Sequence, residues 1–452
     1  MLDPRPRPPR FSPSELRSGT GWLDSVVWAT VLVCALYPWY RYPFRLSDDE
    51  TSPTYSDTPT ALQAGKYLLL APLALAALWY VGRHLRRLSF RDWLLLGFAA
   101  VATVRAAFLL ADERSVATAD VVGPIAAVAP VAVAAGLGLA RSPRAEAIGR
   151  AAFAFAGLLI LVHLAANLVQ IVLWTGFDQL PALGYPESRA VRFGGLWDDP
   201  NSTGTLSAAF LVFLVARAGF PWPRGKLLLG LAALANFVVS QSFSACVVLV
   251  VGVCAVGAVR LAARREAGWV GQGLALLAGI GVGAGILAAS IPLLPFVFDL
   301  PLFDQVFTGK EASLRSRLEA DAWFAVPAGP IEWFVGADDP SKHENAFGTL
   351  MAATGFLGVG LLSAWLVATV VSAHGTPSFV WVGPLFGALV VGSLFVPYLT
   401  LFPVASLAVL ALGVPPANSE RAFVGVREGL GEQGGGPRGQ GRMRSQGRLK
   451  FL

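Results

Sequence analysis

Charge is what this chain has least of. Only 14% of its 452 residues are Asp, Glu, Lys or Arg, while 55% are apolar; a soluble domain carries about 25% charged residues. So few charges do not cover a water-facing surface, which excludes an ordinary soluble fold and points to a polytopic membrane protein. Cysteine is scarce too. Cys34, Cys246 and Cys254 all lie inside apolar runs with no metal-ligand spacing, and they read as small packing residues. HExxH, Asp-x-Asp and Cys/His clusters are absent, so neither a metal nor a cofactor is expected. The acidic pairs Asp48-Asp49 and Asp198-Asp199 are too small to change that. No glycine-rich phosphate loop stands at a strand-to-helix turn; GFLGVG at 355–360 lies inside an apolar run and reads as close helix packing. The chain shows no repeat of fixed period, and nothing in it suggests a nucleic-acid partner.

What is present is a series of long apolar runs. About 20 such residues span a bilayer core, and on that measure twelve helices are expected, at about 23–40, 64–82, 92–111, 119–140, 151–174, 202–219, 226–240, 243–263, 271–295, 346–372, 378–395 and 397–414. The fold class is therefore an all-α, multi-pass membrane bundle. The Pro/Arg-rich start, MLDPRPRPPRFSPSELR, is not the stub of a cleavable signal, so the first run is kept as a membrane helix. Placing 1–22 in the cytoplasm puts 24 of the 35 Lys and Arg residues in inside segments and 10 in outside loops, with Arg105 inside a helix. Both termini are thus expected in the cytoplasm. The membrane domain covers 23–426, and 427–452 is a Gly/Arg-rich tail whose basic charge suits anionic lipid. Two outside loops are long, 175–201 and 296–345. They are rich in Trp, Phe, Leu and Gly, which disfavours disorder and marks them as functional candidates.

Polar chemistry concentrates around those loops. His343 stands three residues before the apolar run at 346, at the expected outer surface, and a neutral imidazole is the usual general base near neutral pH. Glu344, Asp338 and Asp339 flank it, and the polar stretch enters the apolar helix at 346–372 without a break. Arg189 and Arg192 lie in one long loop, Arg315 and Arg317 in the other. Guanidinium forks suit phosphate oxygens, so an outward site with several arginines fits a substrate that brings its own diphosphate. The competing reading pairs them with Asp198, Asp199, Glu319 and Asp321. Arg105 is an intramembrane cation, costly unless it meets a partner or a watery cavity; Asp112 and Glu113 lie just above it as snorkelling targets. His163 and Asn167 share one helix face and read first as a helix–helix hydrogen-bonding pair. DDPNSTG at 198–204 reads as a helix start, capped by Asn201 or Ser202. SQSFS at 240–244 reads as a hydroxyl-rich hairpin between two helices.

The order of these features resembles the O-antigen ligase/polymerase superfamily. The pieces are Arg192-x-x-Gly195, Asp199-Pro200-Asn201, the Ser-rich turn containing Ser242, Arg317 with Trp323, Gly336, and His343-x-Asn345 followed by Gly355-x-x-Gly358. The resemblance implies metal-independent transfer of a glycan from an undecaprenyl-diphosphate carrier to an acceptor hydroxyl outside the plasma (inner) membrane, as in surface polysaccharide biosynthesis. Arginines would hold the diphosphate and His343 would assist the acceptor, with Asn201 and Asn345 as further substrate-binding candidates and Glu344, Ser242 and Trp323 in support. The partners implied are the lipid-linked donor, a glycan or lipid acceptor, and membrane lipid. Many relatives carry Arg after the Ser of the turn; here Phe243 follows Ser242, and Arg105 is the candidate replacement. A secondary transporter or flippase for a lipid-linked or anionic substrate is the alternative, and a scaffold whose loops bind a partner protein is a third reading. The topology is directly testable: thiol reagents that do not cross membranes are expected to leave single cysteines at positions 10 and 440 unlabelled in intact cells. Labelling of either from outside would overturn the charge-based orientation.

Overall fold

The structure, a computed structural model, describes residues 82, 85, 88–111, 145–173, 177–178, 191–195, 200–216, 223–290, 329–337, 346–373 and 379–393. The expected helices at 23–40, 64–82, 119–140 and 397–414 lie essentially outside that set, as do both termini and the basic tail. The described chain is helical apart from one two-residue antiparallel pair. Its elements are α1 (Phe90–Ala111), α2 (Ala145–Leu173), β1 (Phe177–Asp178), β2 (Val191–Arg192), α3 (Pro200–Ala216), α4 (Pro223–Ser240), α5 (Phe243–Arg264), α6 (Trp269–Ser290), α7 (Pro330–Val335), α8 (Ala346–Ala373) and α9 (Phe379–Gly392). Eight of these coincide with apolar runs read from the sequence. The pair β1–β2 and the short α7 fall in loops where no regular structure is expected. Each is too brief to leave a periodic signal.

Among the described residues, three segments are long and apolar enough to cross a membrane by themselves: Phe243–Arg264, Trp269–Ser290 and Phe347–Val371. The distribution of side chains makes the same point. Val172 is 82% exposed and Leu227 67%, whereas His163, Asn167 and Asn236 are 0% exposed. A soluble protein rarely shows contiguous apolar surface on this scale. Surrounded by lipid, the arrangement is the economical one: apolar side chains face outward and polar groups find partners within the bundle.

At the centre of the bundle is α5, which packs against α3, α6 and α9. Its buried face is Val247, Val248, Val251, Gly252, Ala255, Val256 and Val259, small or β-branched residues that let neighbouring backbones approach. One cluster joins α2, α3, α4 and α5 through Ile160, Leu206, Phe210, Leu229 and Val248. A second joins α5, α6 and α9 through Ala255, Val259, Leu276 and Phe379. A third, separate cluster locks α1 to α8 through Phe98, Ala102, Leu350 and Ala353.

The seam between α5 and α6 is a close backbone contact. A Cβ at Gly279 would lie 2.6 Å from Ala255 Cα, and one at Gly283 would lie 2.7 Å from Val251 Cα. Gly281, on the other side of α6, has nothing within 4 Å. In lipid, where apolar burial offers little drive, such close packing is a main source of helix association. Gly279→Leu is expected to lower stability by about 1–3 kcal/mol through overpacking, while Gly281→Leu stays within about 0.5 kcal/mol of the parent. Unfolding of the detergent-solubilised protein by SDS titration measures the difference, and equal effects of the two changes would contradict the seam.

Candidate functional site

The four helices α2 to α5 bring their polar residues to one end of the bundle. These residues lie in the C-terminal halves of α2 and α4 and the N-terminal halves of α3 and α5. In helices running alternately up and down, those halves share one end. Hydrogen bonds between the elements confirm it. Phe193 N–H, just after β2, donates to Val239 O near the end of α4 at 3.3 Å. Ser242 Oγ, before α5, donates to Asn201 Oδ1 in the first turn of α3 at 3.0 Å. The opposite end is basic. There Arg260 Nη2 donates to Ala216 O, the last carbonyl of α3, at 2.8 Å, and Arg264 and Arg265 follow at the end of α5 and its C-cap.

The turn after Arg192 is held by α2. Gln170 Nε2 donates to Gly195 O at 2.9 Å, and Gly195 N–H returns the bond to Gln170 Oε1 at 3.1 Å. A single side chain amide thus satisfies both polar groups of one buried residue. Gly195 has φ +63, a left-handed conformation that glycine adopts without steric cost. Any Cβ would also lie 2.5 Å from His163 Nδ1. Thr203 Oγ1, one turn into α3, donates to Gly194 O. Below this turn Asn167 Nδ2 donates to Asn236 Oδ1 at 2.8 Å, and Asn236 Nδ2 donates to Ile160 O at 2.8 Å. The expected interhelix role of the His163/Asn167 face is present, with Asn236 of α4 as the partner of Asn167.

The hydroxyl-rich turn is a helix cap. Gln241 takes φ 47, and Ser242 is the N-cap of α5, its Oγ accepting from Ala245 N–H at 3.3 Å. A serine has one proton to give. With that proton on Asn201, Ser242 Oγ accepts from Ser244 Oγ, 2.9 Å away. Helix α3 itself begins at Pro200, where the missing N–H costs nothing. Asn201 and Ser202 therefore sit inside the first turn and do not cap it, which corrects the boundary read from the sequence.

A second polar group lies between α1, α7 and α8. Arg105 is 7% exposed, and its Nη2 donates to Gly336 O at 3.3 Å and to Ala337 O. Its observed partners are backbone carbonyls at the end of the second long loop. Helix α8, expected as a single helix at about 346–372, has a kink within it. At Gly355 the backbone takes φ 61 and ψ −170, and a Cβ there would collide with the carbonyl of Phe334. Of the 355–360 stretch read as close helix packing, only Gly355 meets another segment, the backbone of Phe334 and Val335, and the helix breaks there; Gly360 has nothing within 4 Å. Trp333 of α7 stacks on Phe356 just beyond the break, ring centroids 5.3 Å apart.

Of the residues singled out in the sequence, the structure gathers Asn201 and Ser242 with the Arg192–Gly195 turn. Arg192 is placed by its backbone, opposite Phe177 in the β1–β2 pair. Arg105 belongs to the second group, and α9 packs on both α3 and α8, the helices that carry one group each. His343, Glu344, Asn345, Arg189, Arg315, Arg317 and Trp323 lie outside the described residues. Sequence reasoning missed Gln170, Thr203 and Asn236. Gln170 was within reach, since it continues the 163–167 face by another turn. Among the described residues no three His, Cys, Asp or Glu side chains converge on a possible metal position. No protein-family model, curated protein or solved structure matches the chain.

The Gln170–Gly195 bracket makes a specific expectation. Gly195→Ala is expected to destabilise the protein by about 1–3 kcal/mol, from overpacking on His163, and Gln170→Leu by about 1–3 kcal/mol for each polar group left unsatisfied. SDS-titration midpoints measure both. A fully tolerated Gln170→Leu would show that the turn is held by other means.

Proposed function

We propose that the chain is a metal-independent glycosyltransferase of the O-antigen ligase/polymerase type. It would move a glycan from an undecaprenyl-diphosphate-type carrier to an acceptor hydroxyl at the outer face of the plasma membrane. The observation that carries this reading is convergence. The Arg192–Gly195 turn, the Pro200–Asn201 helix start and the Ser242 cap are pieces of the motif order that resembles the family. The first two are near neighbours in sequence and Ser242 lies 41 residues beyond Asn201, yet all three are linked by direct hydrogen bonds at one end of the bundle. That end is opposite the basic C-terminal end of α5, consistent with an outward position.

The chemistry asks for little more than position and charge. The acceptor oxygen attacks the anomeric carbon, the bond from that carbon to the diphosphate oxygen breaks, and the acceptor proton passes to His343. The departing lipid diphosphate carries the electron pair and needs fixed positive charge, the role given to Arg192 and Arg317, with Arg189 and Arg315 as further candidates. Asn201 and Asn345 are assigned to glycan or diphosphate contacts.

One observation favours the alternative of a secondary transporter. A broken membrane helix such as α8 is a common device for exposing backbone groups to a substrate. The two readings separate in one experiment. Membranes containing the protein are supplied with a lipid-linked oligosaccharide, and transfer is compared between wild type and His343→Ala. The expected loss is about a hundredfold or more, the scale of a general base. Unchanged transfer in the variant would remove His343 from the mechanism. Absence of transfer by wild type, together with substrate uptake into proteoliposomes, would favour transport.

A further inference from the structure

The turn at Gly336 and Ala337 lies below the ends of both helices that hold it. Arg105 is six residues before the end of α1, about 9 Å along the axis, and Ala352, which accepts from Ala337 N–H, is six residues into α8, about 9 Å. The hydrocarbon core is about 30 Å thick. At that depth an irregular backbone is tolerated only where the protein itself meets its polar groups.

Here the accounting is complete. Gly336 N–H donates to Glu332 O at 2.8 Å, closing α7, and Ala337 N–H donates to Ala352 O at 2.7 Å, across to the helix that breaks at Gly355. The remaining two groups are the carbonyls of Gly336 and Ala337, and both accept from Arg105 Nη2. The two glycines leave room for this seating. A Cβ at Gly336, where φ is +101, would lie 2.7 Å from the Ala353 carbonyl carbon, and Gly355 has its own collision with Phe334. Ile331 and Phe334 of α7 are exposed, and Gly336 is buried.

From this we infer that Arg105 is a positioning residue: it holds a re-entrant turn of the second long loop in the break of α8. The turn it holds is followed, six residues later in the chain, by His343. Arg105 therefore acts on the reaction through the backbone that leads to the proposed base, and not by touching the diphosphate. The catalytic part of this inference rests on the glycosyl-transfer reading; the structural part does not.

The test uses the full-length protein in nanodiscs of phosphatidylethanolamine and phosphatidylglycerol, as wild type, Arg105→Lys and Arg105→Met. Hydrogen–deuterium exchange is followed in peptides covering 330–337 and, as a reference, in α5. Removing hydrogen bonds from a charged donor is expected to raise exchange at 336–337 by about tenfold or more in Arg105→Met, with α5 unchanged. Arg105→Lys, which keeps a charge and donors, is expected to fall between. Unaltered exchange at 336–337 in Arg105→Met would overturn the inference, and so would an equal rise in α5, which would mark general loosening. In the transfer assay kcat is expected to fall about tenfold in Arg105→Met while the KM for the lipid-linked donor holds. A raised donor KM with unchanged exchange would place Arg105 on the substrate and sink the positioning role. If wild type shows no transfer at all, the proposed function falls while the exchange result still decides what Arg105 does.

Discussion

Every backbone amide and carbonyl that leaves a helix within an apolar layer must be met by another protein group, and two such places shape this molecule. At one, Gln170 closes both polar groups of Gly195. At the other, Arg105 takes the carbonyls of Gly336 and Ala337. An unmet group in hydrocarbon costs several kcal/mol, so each irregular turn exists only with its side-chain partner in place. The partner in turn explains residues that would be out of character in an apolar helix. Gln170 and Arg105 are buried because the backbone opposite them is irregular.

This coupling also explains which features were legible in the sequence. The helices from α1 to α6 and α8 to α9 announce themselves as apolar runs, since hydropathy over some 20 residues is a strong signal. Ser242 as part of a turn, and His163 with Asn167 as an interhelix face, follow from residue type and spacing alone. The break at Gly355 does not. A glycine in a membrane helix usually marks close approach, and whether the backbone bends depends on what docks there, in this case Phe334 to Ala337 from a different segment. Helix α7 has only six residues and no period to detect. Arg105 could be recognised as a costly cation needing a partner, but its partners are carbonyls, which carry no trace in the amino-acid code. The site was legible to a similar extent. The Arg192, Asn201 and Ser242 segments could be named as candidates; their joining through Thr203, Phe193 and Val239 depends on how three helices end.

The division of labour among helices suits a site built from loops. Around α5 the bundle is close-packed, with Gly279 and Gly283 seated on its backbone, so the base of the polar end is stiff. The α1–α8 pair has its own separate apolar cluster of Phe98, Ala102, Leu350 and Ala353 and carries the re-entrant turn. Under the proposed glycosyl transfer, which needs a diphosphate held still while an acceptor approaches, both characters would be of use: the close-packed part would carry fixed charge, and the separately anchored pair would carry the segment that precedes the proposed base in sequence.

The distance in sequence between Arg105 and its carbonyls, 231 residues to Gly336, has a consequence for how the protein is made. At roughly 5–20 residues per second, roughly 10–50 s of translation separate the emergence of α1 from that of the turn it will hold. Throughout that interval α1 carries a guanidinium toward the membrane without those two acceptors; six residues from the helix end, its insertion cost is below the about 2.5–3.5 kcal/mol of a charge at the helix centre. The late arrival of α7 and α8 then gives Arg105 its acceptors, so a segment from the second half of the chain completes the setting of a helix from the first quarter.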